Sequence, residues 1–257
     1  MAFRLEEYVL LEILTVFNKQ VSIQGISFYV YDGTTFIVAS ARPLRVISSA
    51  VLGGSLREAR YIINHSVDKE YNGSDPEEEL RREALRLRLD HDVLGMMTAV
   101  SVNHTVLSQG RQEDLAVATL CTAGVGNPGV AGEPAGKVQG QYQPGTINLI
   151  LLIDGNPTDA AMVNAVITAT EAKTRALFKA KVSLPDGEPV TGTTTDAIVV
   201  ACTGRGEPLR YAGTATGLGY LIGRTVYKAV LQGVGTYLLF CSKGGDYKVN
   251  NKQKLLN

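Results

Sequence analysis

Cysteine is scarce, neither sign of charge prevails, and no apolar run is long enough to span a bilayer. Only Cys121, Cys202 and Cys241 occur, an odd and widely spaced set. No CxxC pair is present, so neither a disulfide framework nor a structural zinc site has a local signature. The three lie in or beside apolar runs (ATLCTAG, IVVACTG, YLLFCSK) and read as reduced cysteines at strand ends. Lys plus Arg and Asp plus Glu each number 25, with a sequence pI near 6.8, so the basic field of a nucleic-acid binder is missing. No stretch of about 18 uncharged apolar residues argues for a membrane span. The apolar opening MAFRLEEYVLLEILTVF carries Glu6, Glu7 and Glu12, unlike a secretory signal, which leaves the cytoplasm as the expected compartment. Histidine is also rare. His65, His91 and His104 form no HxxxH or HExxH pair, and no metal site is expected. A GxxxxGK phosphate loop and a GxSxG elbow are both missing, and GTATGLGYLIG lacks the strand-and-acid context of a dinucleotide site.

What is there suits a large core: 257 residues, of which 45% are hydrophobic. VSIQGISFYVY and TTFIVAS flank Asp32-Gly33, a hairpin signal, and LRVISSAVL reads as a third strand. LREARYIIN is expected to start a short helix. In GSDPEEELRREALRLRLD, Asp75, Pro76 and Glu78 predict N-cap, N1 and N3 of a solvent-facing helix. Residues 124–145 are rich in glycine and proline and read as a long loop. GTINLILLID follows as a strand covered on both faces. Next come a helix in TDAAMVNAVITATEAKTRALFKA, a turn at Pro185-Asp186-Gly187, a strand in TGTTTDAIVVACTG, a glycine-punctuated helix near 215–232 and a last strand, TYLLFC. CTAGVGNPGVAG and CTGRGEPLRYAG hint at an internal repeat. The expected fold is α+β or α/β, a single-domain sandwich with a mixed sheet and packing helices. Residues 1–20 would be an extension, 21–242 the domain and 243–257 a polar, frayed tail.

Four groups of residues could carry chemistry. On the helix at 157–178, Val163, Ile167, Thr170, Thr174 and Leu177 form a stripe suited to packing. Asn164, Thr168, Glu171 and Arg175 share a neighbouring face. That face is either a pocket wall, with Glu171 partly desolvated and basic, or the exposed side of an amphipathic helix. TGTTTDA at 191–197 could hold an oxyanion or orient water, or be a turn in which Asp196 satisfies local backbone. SSAVLGG at 48–54 allows close backbone approach by a ligand. His65, beside Asn64 and near Tyr71, is the most site-like histidine, although a structural role is open to it.

Several blocks, in one order, resemble the adenosylcobinamide amidohydrolase family. They are RPLRVISSAVLGG, IINHSVDKEY, VLGMMTAV, CTAGVGNP, GTINLILLID, AVITATEAKTRAL, TGTTTDAIVVAC and YAGTATGLGYLIGRTVYKAV. The first 20 residues and the tail fall outside the resemblance, and the helix at 75–90 looks like a variable insertion. The resemblance implies hydrolysis of the amide joining the corrin propionyl side chain to aminopropanol, giving adenosylcobyric acid in cobinamide salvage. The corrinoid would be the substrate and partner, with no cofactor and with no nucleic acid or membrane engaged; a homo-oligomer is compatible with it. Amide hydrolysis then suggests roles: Glu171 as general base, His65 as acid or second base, and the Thr193–Asp196 loop, with catalytic Asp196, holding the oxyanion or orienting water. Ser48, Ser49, Asn127, Asn148 and Thr194 would contact the ligand. Ser49 or Thr194 as a covalent nucleophile is the competing mechanism, and a non-catalytic corrinoid carrier the competing function.

Overall fold

A computed structural model describes residues 14–16, 22–68, 71, 73–89, 92–133 and 145–242. The C-terminal tail, most of the N-terminal extension, His91 and the middle of the glycine-rich loop lie outside the described residues. The order is β1 (Leu14–Val16), β2 (Ile26–Tyr31), β3 (Thr35–Ser48), β4 (Leu56–Ser66), α1 (Pro76–Arg86), β5 (Val93–Thr98), a 3-10 turn (Val102–His104), β6 (Val106–Gln112) and β7 (Leu115–Ala123). It continues with β8 (Pro128–Gly129), β9 (Ile147–Asp154), β10 (Asn156–Pro157), α2 (Asp159–Lys179), β11 (Gly192–Thr193), β12 (Ala197–Cys202), β13 (Pro208–Leu209) and α3 (Gly217–Ser242).

Nine strands form one mixed sheet in the order β1-β2-β3-β12-β9-β7-β6, with β4 on β3 and β5 on β4. The β12–β9 and β4–β5 pairs are parallel. Strand β3 is the hinge of the architecture. Its first half pairs with β2 and its second half with β12, and its register against β4 shifts between Ala39 and Leu44. Pro43 lies in that irregularity and cannot donate to a ladder, so regular pairing stops there. The sheet folds over its own inner face at this point. Phe28, Phe36, Val38, Ile62 and Met96 from one half meet Leu120, Ile150, Leu152 and Val199 from the other in one buried cluster. Outside the β7–β9–β12 half lie α2 and α3, and outside the β3–β4–β5 half lies α1. The result is a four-layer αββα sandwich.

Several expectations hold. Asp32 and Gly33 both adopt positive φ, as a two-residue hairpin requires. Asp75 caps α1 by accepting from the Glu78 N–H at 3.0 Å, with Pro76 opening the helix. Strand β9 is buried along Ile147–Ile153, as expected of a run covered on both faces.

Three expectations are corrected. LREARYIIN is not a helix but part of β4, held between β3 and β5, and tertiary pairing overrides its local signal. TYLLFC is not a strand: it forms the last turns of α3, which runs unbroken from Gly217. A short apolar run reads alike in a helix and a strand. The stripe on α2 is also displaced. Its buried face is Ala161, Met162, Ala165, Thr168, Ala169, Ala172, Ala176 and Leu177, whereas Val163 and Ile167 are 48% and 50% exposed. Small side chains let α2 approach the sheet and α3 closely, so alanines rather than valines mark the contact.

Candidate functional site

The register gathers separated segments at one end of the sheet. Ser48 of β3 sits opposite Val199 of β12, Asn148 of β9 opposite Ala197, and Ala123 of β7 opposite Ile147. The C-terminal ends of β3 and β7 therefore lie beside the N-terminal ends of β9 and β12. The β8–β11 ladder pins the 127–129 loop to the 192–194 loop across this end.

Asp196 organises it. Oδ1 accepts from the Ile147 N–H at 3.0 Å and from the Thr193 hydroxyl. Oδ2 accepts from the Thr193 N–H at 3.1 Å and from the ammonium of Lys173, which reaches in from α2. The Lys173 and Asp196 side chains are only 12% and 16% exposed. Gly192 makes room for the pair. A Cβ there would lie 2.6 Å from Asp196 Oδ2 and 2.8 Å from Lys173 Nζ, so a larger residue would have to displace the ion pair. Thr174 also ties α2 to this loop, donating to the Thr191 carbonyl at 3.0 Å.

The predicted ligand contacts flank that hub. The Ser48 hydroxyl donates to the Ile198 carbonyl at 3.1 Å and accepts from the Ala50 N–H at 2.9 Å, which commits it structurally. Exposed Ser49 accepts from the Ile198 N–H at 3.1 Å and retains its own proton. Asn127 donates from Nδ2 to the Thr194 hydroxyl at 2.8 Å, and the Thr194 N–H returns a bond to the Asn127 carbonyl at 3.2 Å. Asn148 is buried between the sheet halves. It donates to the Asn64 side chain at 2.8 Å and to the Met97 carbonyl at 2.7 Å, while Asn64 donates to Thr122 at 3.0 Å. This polar network sits inside an otherwise apolar sandwich and ties β4, β5, β7 and β9 together at the same end.

Two predicted residues do not join. Glu171 projects from the exposed face of α2, onto a shallow patch with Val166, Ile167, Thr170 and Phe178; the expected burial of its carboxylate is absent. His65 lies on the outer face of β4, under α1. Burial chiefly holds its imidazole below the ordinary range, against the pull of Glu83. Thr35 has one hydroxyl proton, donated to Glu83 Oε1 at 2.6 Å. His65 Nδ1, 2.8 Å from the same hydroxyl, must therefore donate, which fixes the Nδ1–H tautomer in the neutral ring. Glu83 was hidden in a charge run that reads as solvated, and Lys173 lies 23 residues from its partner in the chain. Only the uncharged stretch upstream of TEAKT, residues 160–170, could have singled out Lys173.

At the opposite end, a cleft of about 400 Å³ lined by Gln24, Ser40, Arg42, Thr203 and Arg205 opens where β3 changes partners. The two repeat-like segments follow β7 and β12, which run in opposite directions, so they serve opposite ends. Among the described residues no group of three or more His, Cys, Asp or Glu side chains could hold a metal ion. Among them, too, no helix is long and apolar enough to cross a membrane.

Comparison with known proteins gives one consistent outcome. A family model described as adenosylcobinamide amidohydrolase matches residues 19–241. An adenosylcobinamide amidohydrolase of Methanosarcina mazei is 31% identical over 216 residues, covering 80% of this chain and 96% of that protein. An uncharacterised protein of Methanocaldococcus jannaschii is 27% identical over 226 residues, covering 79% and 86%. An adenosylcobinamide amidohydrolase of Halobacterium salinarum is 38% identical over 118 residues, covering 44% and 48%.

Proposed function

This chain belongs to the adenosylcobinamide amidohydrolase family, and from that premise we propose that it cleaves adenosylcobinamide to adenosylcobyric acid and aminopropanol. Membership makes it a hydrolase of an amide C–N bond. The observation that carries the site assignment is the Thr193–Asp196–Lys173 constellation at the loop end of the sheet. A hydroxyl donates to a carboxylate, and a cation orients that carboxylate. Nucleophilic catalysis needs that arrangement: an attacking group, a base within reach, and a third group fixing the base. Among the described residues no carboxylate or histidine is hydrogen-bonded to Ser49 or Thr194, so the geometry favours Thr193 over both.

In this reading the Thr193 oxygen attacks the propionamide carbonyl carbon while its proton passes to Asp196. Collapse breaks the C–N bond, and the proton goes to the departing aminopropanol nitrogen. Water then hydrolyses the ester and restores the Thr193 hydroxyl. Lys173 keeps the Asp196 carboxyl oriented before and after the proton transfer, in a site with little solvent.

The test is incubation of purified protein with adenosylcobinamide, without ATP, and mass detection of adenosylcobyric acid. Thr193→Ala should lower turnover by at least about 100-fold, and Thr193→Ser should retain much of it. An acid-quenched reaction should carry the corrin acyl group on residue 193 in intact-mass analysis. Binding without any turnover by the unaltered chain would favour a corrinoid carrier and overturn this reading.

A further inference from the structure

At the end of the sheet opposite Thr193 and Asp196, β3 leaves one ladder for another. Its pairing with β2 ends at Ser40, its pairing with β12 begins at Arg45, and Pro43 lies between. The gap is the cleft of about 400 Å³, a volume suited to a small molecule. Among the described residues that line it none is acidic, and two are arginines. Arg205 is braced. Its Nε lies 2.9 Å from Asp154 Oδ1 and its Nη2 donates to the Gln24 carbonyl at 3.0 Å, which leaves Nη1 without a partner among the described residues. Thr203 donates to the same Asp154 oxygen at 3.0 Å, so the carboxyl ends of β9 and β12 set the position of that guanidinium. Arg42 is exposed, and Ser40 is only 8% exposed. Neither the Arg42 guanidinium nor the Ser40 hydroxyl has a hydrogen-bond partner among the described residues.

We propose that this cleft is a second ligand site, which binds the phosphoryl group of a small organic phosphate through Arg42, Arg205 and Ser40. It lies apart from the hydrolytic site and is additional to the function read above. Asp154 offsets the charge of Arg205, so the cleft keeps the charge of Arg42. A phosphate monoester, with about 1.5 to 2 negative charges near neutral pH, complements it. One guanidinium fork alone satisfies a planar carboxylate, whereas three donors on separate side chains suit the three terminal oxygens of a phosphoryl group. That group fills only part of the volume. Gly25, Ala41 and Pro43 supply an uncharged wall for the organic part.

The test is calorimetric titration of the full chain with ribose 5-phosphate, with neutral ribose and with the carboxylate gluconate. Ribose 5-phosphate should bind at least about ten-fold more tightly than either control. Arg42→Ala, at an exposed position with no side-chain bond to lose, should weaken that binding at least about ten-fold, and Ser40→Ala about five-fold. Thr193→Ala should leave the affinity as it is, because Thr193 stands at the other end of β12 from Arg205. No binding of ribose 5-phosphate, equal affinity for gluconate, or undiminished affinity in Arg42→Ala would overturn the phosphate site. A loss in Thr193→Ala as large as that in Arg42→Ala would overturn it too, by placing the phosphate at the hydrolytic end. The titration needs no turnover, so its outcome is independent of the hydrolase reading.

Discussion

Lys173 and Glu171 stand two residues apart on α2 and make opposite predictions. Glu171 is exposed, and replacing it by Gln removes nothing buried. Glu171→Gln should keep stability within about 0.5 kcal/mol and turnover within about two-fold. Lys173→Met leaves the Asp196 carboxylate enclosed without its cation, a change that typically costs about 3–5 kcal/mol. Denaturant midpoints of the two variants check this, and Lys173→Met combined with Asp196→Asn should recover part of the lost stability. A Glu171→Gln variant with turnover lowered 100-fold would restore Glu171 as the base. The sequence made small polar residues at strand ends legible as a site, and Asp196, Asn127 and Thr194 do meet there. Glu171 was singled out by helical spacing, which defines faces but does not say which face the sheet takes.

At the level of elements, the packing of α1 on β3 and β4 turns a charged helix into a pH-dependent contact. Burial raises the Glu83 carboxyl, but hydrogen bonds from Arg86 and Thr35 outweigh it and hold Glu83 below its ordinary value. His65 is held low by burial, against the charges of Glu83 and Glu79. Both groups therefore bind protons more readily in the unfolded chain than in the folded one. Stability rises with pH between the folded and unfolded values and is lost as pH falls, first below about 6.5 for His65 and then below about 4.5 for Glu83. The urea midpoint should decline from pH 7 to pH 5. His65→Asn, which cannot titrate but can still donate to Thr35, should flatten that decline. Some slope will remain, because burial also holds His104 low. An identical slope in the variant would show that the contact does not titrate there. The helix itself was legible from its cap, but the buried side of its charge run was not. Leu80 and Leu87 are visible in sequence, whereas Glu83 is buried because Thr35 and His65 meet it from β3 and β4 and Arg86 closes on it from the next turn of α1.

At the scale of the whole molecule, the described residues leave no place where the chain divides into independent parts. Strand β3 belongs to both halves of the sheet, and β4 runs along both segments of β3. The inner core takes side chains from β2 to β5 and from β7, β9 and β12 alike. No sequence pattern announces this, because alternation marks the strands but not the bend at residues 40–43 that stacks one half on the other. Neither half can lose its inner face without exposing that of the other, so unfolding should be a single transition despite the length of the chain. Phe36 is 1% exposed, packs against Phe28 with tilted rings 5.8 Å apart, and lies at the seam between halves. Phe36→Ala should cost about 3–5 kcal/mol and lower the midpoint without splitting the transition. Far-ultraviolet dichroism, reporting the sheet and helices, should trace the same curve as near-ultraviolet dichroism, to which Phe28 and the tyrosines of the β3–β5 half contribute. Two separated transitions in either protein would mean that the β7–β9–β12 half with α2 and α3 stands alone. The bend in β3 would then be a linker rather than the structural hinge from which the site at the sheet's end is built.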